Sequence, residues 1–255
     1  MSKVLSQPDA HSPAEKASEP ALSVRGLTGG HHGLVAVRDV TFDVADGEVL
    51  TILGPNGAGK STTLLSIVGV LRRMGGEVLS HGETLGSKPE VNARRGVTLV
   101  PDDRGVFHQL SVADNLRLTR NSADLESVLD DFPKLRSLWK RRCGLLSGGE
   151  QQMLALAKAL LQKPKVLLVD ELSLGLAPKA AQELMPILRH QADERGLAVV
   201  LVEQHVDLAL SIADTAAVLR HGRIELKDDA ALLREQRHRI EDAYFGRQGH
   251  DPSSH

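Results

Sequence analysis

The spacing of apolar and polar positions changes several times along the chain, and each change marks an element. Leu22 to Leu27 and Ala36 to Val44 alternate or cluster apolar residues, and Asp46-Gly47 follows as a turn, which predicts an antiparallel β-rich opening. Between those runs, Thr28-Gly-Gly-His-His-Gly33 reads as a flexible loop with His31 and His32 facing solvent. Glu48 to Leu53 has strand character, and Thr62 to Val68 carries apolar residues at helical spacing. Gly75-Gly76 then breaks the pattern, Glu77 to Leu79 gives a short strand and His81-Gly82 a turn. Val97 to Val100, Val166 to Val169 and Leu197 to Val202 are unbroken apolar runs, the form taken by parallel strands buried on both faces.

Between the first and second of these runs the period becomes helical. Ser111 and Asp114 suit helix starts, Leu116, Leu118, Leu125, Val128 and Leu129 supply apolar faces, and Pro133 separates two helices. No strand signal interrupts Ser111 to Arg142, so a small helical subdomain, about residues 104–160, is expected as an insertion in an α/β core. Met153 to Leu161 is built mostly from strong helix formers. Pro178 to Arg195 and Val206 to Ala213 read as further helices, and Thr215 to Leu226 as a hairpin turning at Gly222.

At 255 residues with 41% hydrophobic content, the chain has enough apolar material for one large domain with an inserted subdomain. Lys and Arg number 31 against 33 Asp and Glu, a net charge of −2 that gives no sign of a nucleic-acid partner. Cys143 is the only cysteine, which excludes an internal disulfide and fits a reducing compartment. Residues 1–20 carry prolines among Ser, Glu, Lys and His without a secretory apolar core, and they read as a disordered tail, as do residues 247–255. No run is long enough to span a bilayer, so work at a membrane requires a separate membrane partner. The expected location is cytoplasmic.

Chemistry concentrates where the predicted strands end. Gly54-Pro-Asn-Gly-Ala-Gly-Lys-Ser-Thr62 fits G-x-x-x-x-G-K-[ST] between a strand and a helix, the setting a phosphate loop requires. Gly54, Gly57 and Gly59 permit a tight backbone whose N–H groups face phosphate, with Pro55, Asn56, Ala58 and Thr62 completing the loop. Lys60 is placed to reach the β- and γ-phosphates and the Ser61 hydroxyl to hold Mg²⁺. The strand ending in Asp170-Glu171 has Walker B form, with Asp170 for the metal and Glu171 for the attacking water. Ser147-Gly148-Gly149-Glu150 opens a helix, a second anion-receptive end. His205 lies just past another strand and is a candidate γ-phosphate contact. Pro101 to Gly105 leaves a strand end where either ligand contacts or a solvated turn would fit.

With GPNGAGKSTTL, LSGGEQQ, the strand into Asp170-Glu171 and the strand into His205 in this order, the chain resembles the ATPase subunits of ATP-binding cassette (ABC) transporters from about Leu22 to Gly246. PDDRGVF before SVADNL, SLGLAP, VEQHVDLALSIAD and DAYFG are similar to branched-chain amino acid import ATPases of the LivF type. The resemblance implies a P-loop nucleotide-binding core with a mixed sheet, helices on both faces, an antiparallel β-rich subdomain and the inserted helical subdomain, all within residues 21–246. It implies ATP and Mg²⁺, integral-membrane permease partners docked through residues 102–118, and a place on the inner face of the membrane. A solute-binding protein participates indirectly. A second cassette, identical or LivG-like, would close the site, with Ser147, Gly148 and Gly149 of one chain facing the phosphate loop of the other. Leu174 to Pro178 matches the D-loop and His205 the switch histidine. Urea or amide import and lipid-related export remain alternative cargoes, and a non-transport cassette is a further alternative. Three positions depart from the pattern. The adenine-stacking aromatic is replaced by His31, with His32 one place away. Asp102 stands where LivF-like chains have Glu as a metal contact, and Leu172 replaces the proline after the catalytic glutamate.

Overall fold

The computed structural model describes residues 19–119 and 124–246; of the tails expected at 1–20 and 247–255, residues 1–18 and 247–255 lie outside the described residues. Two sheets are present. The first has the order β2-β1-β4-β5, formed by β1 (Leu22–His31), β2 (Leu34–Val44), β4 (Arg73–Ser80) and β5 (Glu83–Thr84), with every pairing antiparallel. The second has the order β10-β9-β3-β8-β7-β6, from β3 (Val49–Leu53), β6 (Val97–Val100), β7 (Val166–Asp170), β8 (Ala198–Glu203), β9 (Thr215–Arg220) and β10 (Arg223–Asp229). Its pairings are parallel except for β9 with the edge strand β10, so the sheet is mixed as expected.

The first sheet departs from the pattern read in the sequence at two places. β1 continues through Thr28-Gly29-Gly30 to His31, leaving only His32-Gly33 as the turn, and β4 runs through Gly75-Gly76. The pairing of β1 shifts register between Arg25 and Thr28, opposite Glu77 and Gly75. Gly76 takes φ 77° there, and a Cβ on it would stand 2.3 Å from the Gly26 carbonyl oxygen. Only glycine allows the two backbones this approach, so a residue pair that resembles a chain break is a bulge inside a sheet.

The central strands are buried on both faces, and alternate residues along them enter different cores. Val166, Leu168, Ala198, Val200 and Val202 pack with α1 (Lys60–Val68) and the antiparallel sheet. Leu167, Val169, Val199 and Leu201 pack against α6 (Gly148–Leu160), α7 (Pro178–Arg195) and the helical insertion. That insertion comprises α3 (Val112–Arg117), α4 (Leu125–Asp131) and α5 (Pro133–Ser137), which together with α6 stand between β6 and β7 in the chain. A short helix α2 (Pro89–Arg94) precedes β6. Beyond β8 lie α8 (Val206–Leu210), α9 (Ala230–Glu235) and α10 (Arg237–Phe245), and a third apolar cluster joins Leu53 and Val218 to Leu210, Leu233 and Ile240. The C-terminal pair of helices had no counterpart in the sequence pattern. No helix among the described residues is long and apolar enough to cross a membrane.

Candidate active site

Because β3, β8, β7 and β6 are parallel neighbours, the segments leaving their carboxyl ends share one edge of the sheet. β3 leads into Gly54 to Thr62, β8 into Gln204-His205, β7 into Glu171, and β6 into Pro101-Asp102. Topology thus collects residues that are up to 151 positions apart in the sequence, as Gly54 and His205 are.

The phosphate loop wraps the start of α1, whose first turn holds no acid and whose N-cap is Gly59 with no side-chain cap. Those N–H groups are free for an anion. Gly59 has φ 105°, and a Cβ there would lie 2.5 Å from Val37 Cγ1 and 3.1 Å from the Ala36 carbonyl oxygen, so β2 backs the loop closely. The turn after β9 supports it from another side, with Gly222 N–H donating to the Ala58 carbonyl at 2.9 Å. Inside the loop the buried Lys60 ammonium donates to the carbonyls of Gly54 at 2.9 Å and Pro55 at 3.3 Å. Burial pulls its pKa below the ordinary lysine value, with Glu171 and Asp170 opposing that shift.

Asp170 closes β7 with 4% exposure, and its Oδ1 has no hydrogen-bond partner among the described residues. Burial pushes its pKa up to about 6; the Ser61 hydroxyl acts the other way, while Asp102 and Glu171 add to the rise. A buried, uncompensated carboxylate oxygen beside a serine hydroxyl suits a hard divalent cation, whose charge would return this acid to its ionised form. Asp102 itself is exposed, at the rim of this group. Among the described residues no three His, Cys, Asp or Glu side chains form a metal cage. A cation here therefore has to share its coordination with phosphate oxygens and water, as magnesium does.

Glu171 takes φ 49°, an uncommon backbone conformation for a non-glycine residue. Its carboxylate lies 3.7 Å from Lys60 Nζ and accepts a 2.7 Å hydrogen bond from Gln204 Nε2. Leu172, at the position of the missing proline, is fully buried in the larger core. His205 sits at the N-cap of α8, exposed, and lines a cavity of about 490 Å³ with Ser173, Leu176 and Gln204. Gln204, one residue earlier, is the side chain that meets Glu171.

His31 ends β1 with Nε2 3.4 Å from Thr62 Oγ1, whereas His32 forms the turn with φ 50°. The loop's neighbour is therefore His31, which also lines a cavity of about 540 Å³ with Arg72 and Met74. Ser147 and Glu150 form a reciprocal capping box at the start of α6: Glu150 N–H donates to Ser147 Oγ at 3.4 Å and Ser147 N–H to Glu150 Oε2 at 2.9 Å. That last contact holds the Glu150 pKa low. Among the described residues no hydrogen bond or ion pair joins residues 147–150 to residues 54–62.

Sequence reasoning gave no individual role to Arg104, which it placed only in the 101–105 loop and the 102–118 docking region, and none to Ser173, Glu203 or Gln204. Arg104, at φ 68°, donates to Gln151 at 2.9 Å, Gln152 at 3.1 Å and the Leu174 carbonyl at 3.4 Å, tying the loop after β6 to α6 and to the segment after β7. Its position in a charged loop at a strand end was the available signal. Glu203 is 1% exposed yet acidic, which no hydrophobicity pattern anticipates.

A phosphate loop with its lysine, the buried Asp170 and the partly buried Glu171 on the same sheet edge define a P-loop nucleoside triphosphatase. The family described as "ABC transporter" matches residues 37–173. The chain is 42% identical over 83% of its length to the high-affinity branched-chain amino acid transport ATP-binding protein BraG of Pseudomonas aeruginosa, of which it covers 93%. Identity is 38% to a probable branched-chain amino acid transport ATP-binding protein LivF of Archaeoglobus fulgidus, over 82% of this chain and 92% of that one. A solved ATP-binding subunit of an ABC transporter superposes with a TM-score of 0.76 at 28% identity, covering 89% of this chain and 98% of the other. The chain belongs to the ABC transporter ATP-binding family, and it is an ATPase that binds ATP.

Proposed function

We propose that this chain is the energising subunit of an importer for branched-chain or other hydrophobic amino acids, working on the cytoplasmic face of a membrane beneath integral permease subunits. The solute class rests on the likeness to BraG and LivF, and the catalytic assignment on the convergence of Lys60, Asp170 and Glu171 at one sheet edge. The whole ATPase domain, residues 21–246, takes part, with residues 104–160 as its helical subdomain.

In this reading Lys60 leaves the carbonyls of Gly54 and Pro55 for the β- and γ-phosphates, while the loop amides from Asn56 to Thr62 cradle the remaining oxygens. Glu171, released from Lys60, orients the attacking water and accepts its proton. His205 reaches the γ-phosphate from the neighbouring strand end. A magnesium ion held by Ser61 and Asp170, with Asp102 at the rim, neutralises phosphate charge when bound. His31 covers the base beside Thr62. Ser147, Gly148, Gly149 and Glu150 serve the nucleotide of a second cassette, a copy of this chain or a LivG-like homologue. The permease meets the 102–118 surface, where Phe107 and Leu118 are exposed by 56% and 59%. A solute-binding protein contributes through the permease.

Glu171→Gln tests the catalytic core of this reading. It is expected to keep ATP binding, lower turnover by about 10²-fold or more and accumulate an ATP-dependent dimer in size-exclusion chromatography. Undiminished turnover would overturn the role of Glu171. For the cargo, permease-reconstituted complex should be stimulated by a binding protein loaded with leucine and not by one loaded with urea.

A further inference from the structure

Glu203 is the last residue of β8, almost wholly buried, and among the described residues no lysine, arginine or histidine pairs with it. An isolated carboxylate in such a place is costly unless hydrogen bonds hold its charge. Three donors converge on it. Ser173 N–H reaches Oε1 at 2.8 Å, the Ser173 hydroxyl reaches Oε2 at 2.7 Å, and Gln204 N–H reaches Oε2 at 3.2 Å. The same Gln204 sends its side-chain amide to Glu171 Oε1 at 2.7 Å. The bonds close a ring, because Glu171 and Ser173 are two residues apart on the strand-end turn after β7 while Glu203 and Gln204 are adjacent at the end of β8. Glu171 N–H also donates to the Val202 carbonyl at 2.9 Å, which clamps the two segments by their backbones.

We infer that Gln204 is a positioning residue for the Glu171 carboxylate, and that Glu203 holds both ends of the arrangement by gripping Ser173 and the Gln204 backbone. The inference rests on the assignment of Glu171 made above. Glu171 occupies an uncommon backbone conformation and has Lys60 as its other polar neighbour. When nucleotide draws Lys60 away, Gln204 is the contact that remains to fix the direction of the carboxylate. An amide suits this position because it donates to the carboxylate without adding a charge, so the acid remains a competent base. The buried Glu203 supplies a fixed anchor, since its three accepted bonds leave the adjoining backbone little freedom to turn.

Turnover and ATP binding measured on the full chain separate a positioning role from a structural one. Gln204→Ala should lower kcat by about 100-fold with the KM for ATP nearly unchanged. Gln204→Glu keeps the shape but replaces the donor with a repelling carboxylate, and it should be at least as slow. A role in packing alone predicts instead that Gln204→Glu retains activity. In a Glu171→Gln background, adding Gln204→Ala should change the residual rate little, because both act through one carboxylate. Ser173→Ala, which removes one donor from Glu203, should give a smaller kcat loss with ATP affinity preserved. A kcat for Gln204→Ala within about twofold of the parent, while Glu171→Gln is inactive, would overturn this inference alone. An active Glu171→Gln would overturn the catalytic assignment itself.

Discussion

Lys60 is the residue at which the resting site is most legible. Its ammonium bonds to the loop's own carbonyls, with Glu171 as its nearest acid. Lys60 and Glu171 thus face each other as an ion pair, and in the proposed reading a nucleotide must outcompete both carbonyls and carboxylate. Loop geometry is what makes that exchange possible, and Gly59 is its tightest point against β2. An alanine there would combine a left-handed φ of 105° with a methyl 2.5 Å from Val37 Cγ1. Backbone strain of this kind costs about 1–3 kcal/mol, which corresponds to about 5- to 140-fold in ATP affinity if the loop relaxes by leaving its phosphate-binding shape. Equilibrium binding of a fluorescent ATP analogue to Gly59→Ala, with circular dichroism to verify the fold, checks this expectation. Parental affinity would show that β2 yields to the methyl.

At the scale of elements, helix α6 carries two roles on one residue. Ser147 closes a capping box with Glu150 that supports the helix from within the chain, while the same helix end is assigned to a nucleotide on another chain. Substitution separates the two. Ser147→Ala should cost about 1 kcal/mol of stability, whereas Ser147→Gly should cost only about a few tenths. Both should reduce turnover, since neither supplies a hydroxyl to the nucleotide. Urea unfolding beside steady-state hydrolysis makes the comparison, and turnover that tracks stability would leave Ser147 as a cap only. Which elements the sequence announced follows from similar physics. The unbroken runs of β6, β7 and β8 and the cap of α6 were legible because burial on both faces and capping each leave a local residue pattern. The glycine bulge of β1 and β4 was not, since a residue with positive φ inside a sheet has the composition of a turn. Nor were Glu203 and Gln204, whose partners lie 30 and 33 positions away across neighbouring strand ends.

For the whole molecule, the two anion-receptive helix ends have to be considered together. The start of α1 belongs to the phosphate loop, and the start of α6 follows the helical insertion in the stretch between β6 and β7. Among the described residues, no hydrogen bond or ion pair brings residues 147–150 to the phosphate loop. In the proposed reading a nucleotide bridges the two ends between chains, and its binding energy then becomes association energy that is lost when the γ-phosphate leaves. A dilute chain should accordingly bind ATP and hydrolyse it slowly. Specific activity should rise with protein concentration at fixed saturating ATP, approaching a plateau once dimers dominate. Mixing in Glu171→Gln should depress activity by more than dilution, because a mixed dimer held closed by its one dead base also stops the parent chain it contains. Hydrolysis measured across a concentration series, alone and with a second cassette subunit added, provides the check alongside sedimentation velocity. Constant specific activity in both series would mean that a single chain assembles the complete site, and that the start of α6 has no part in it.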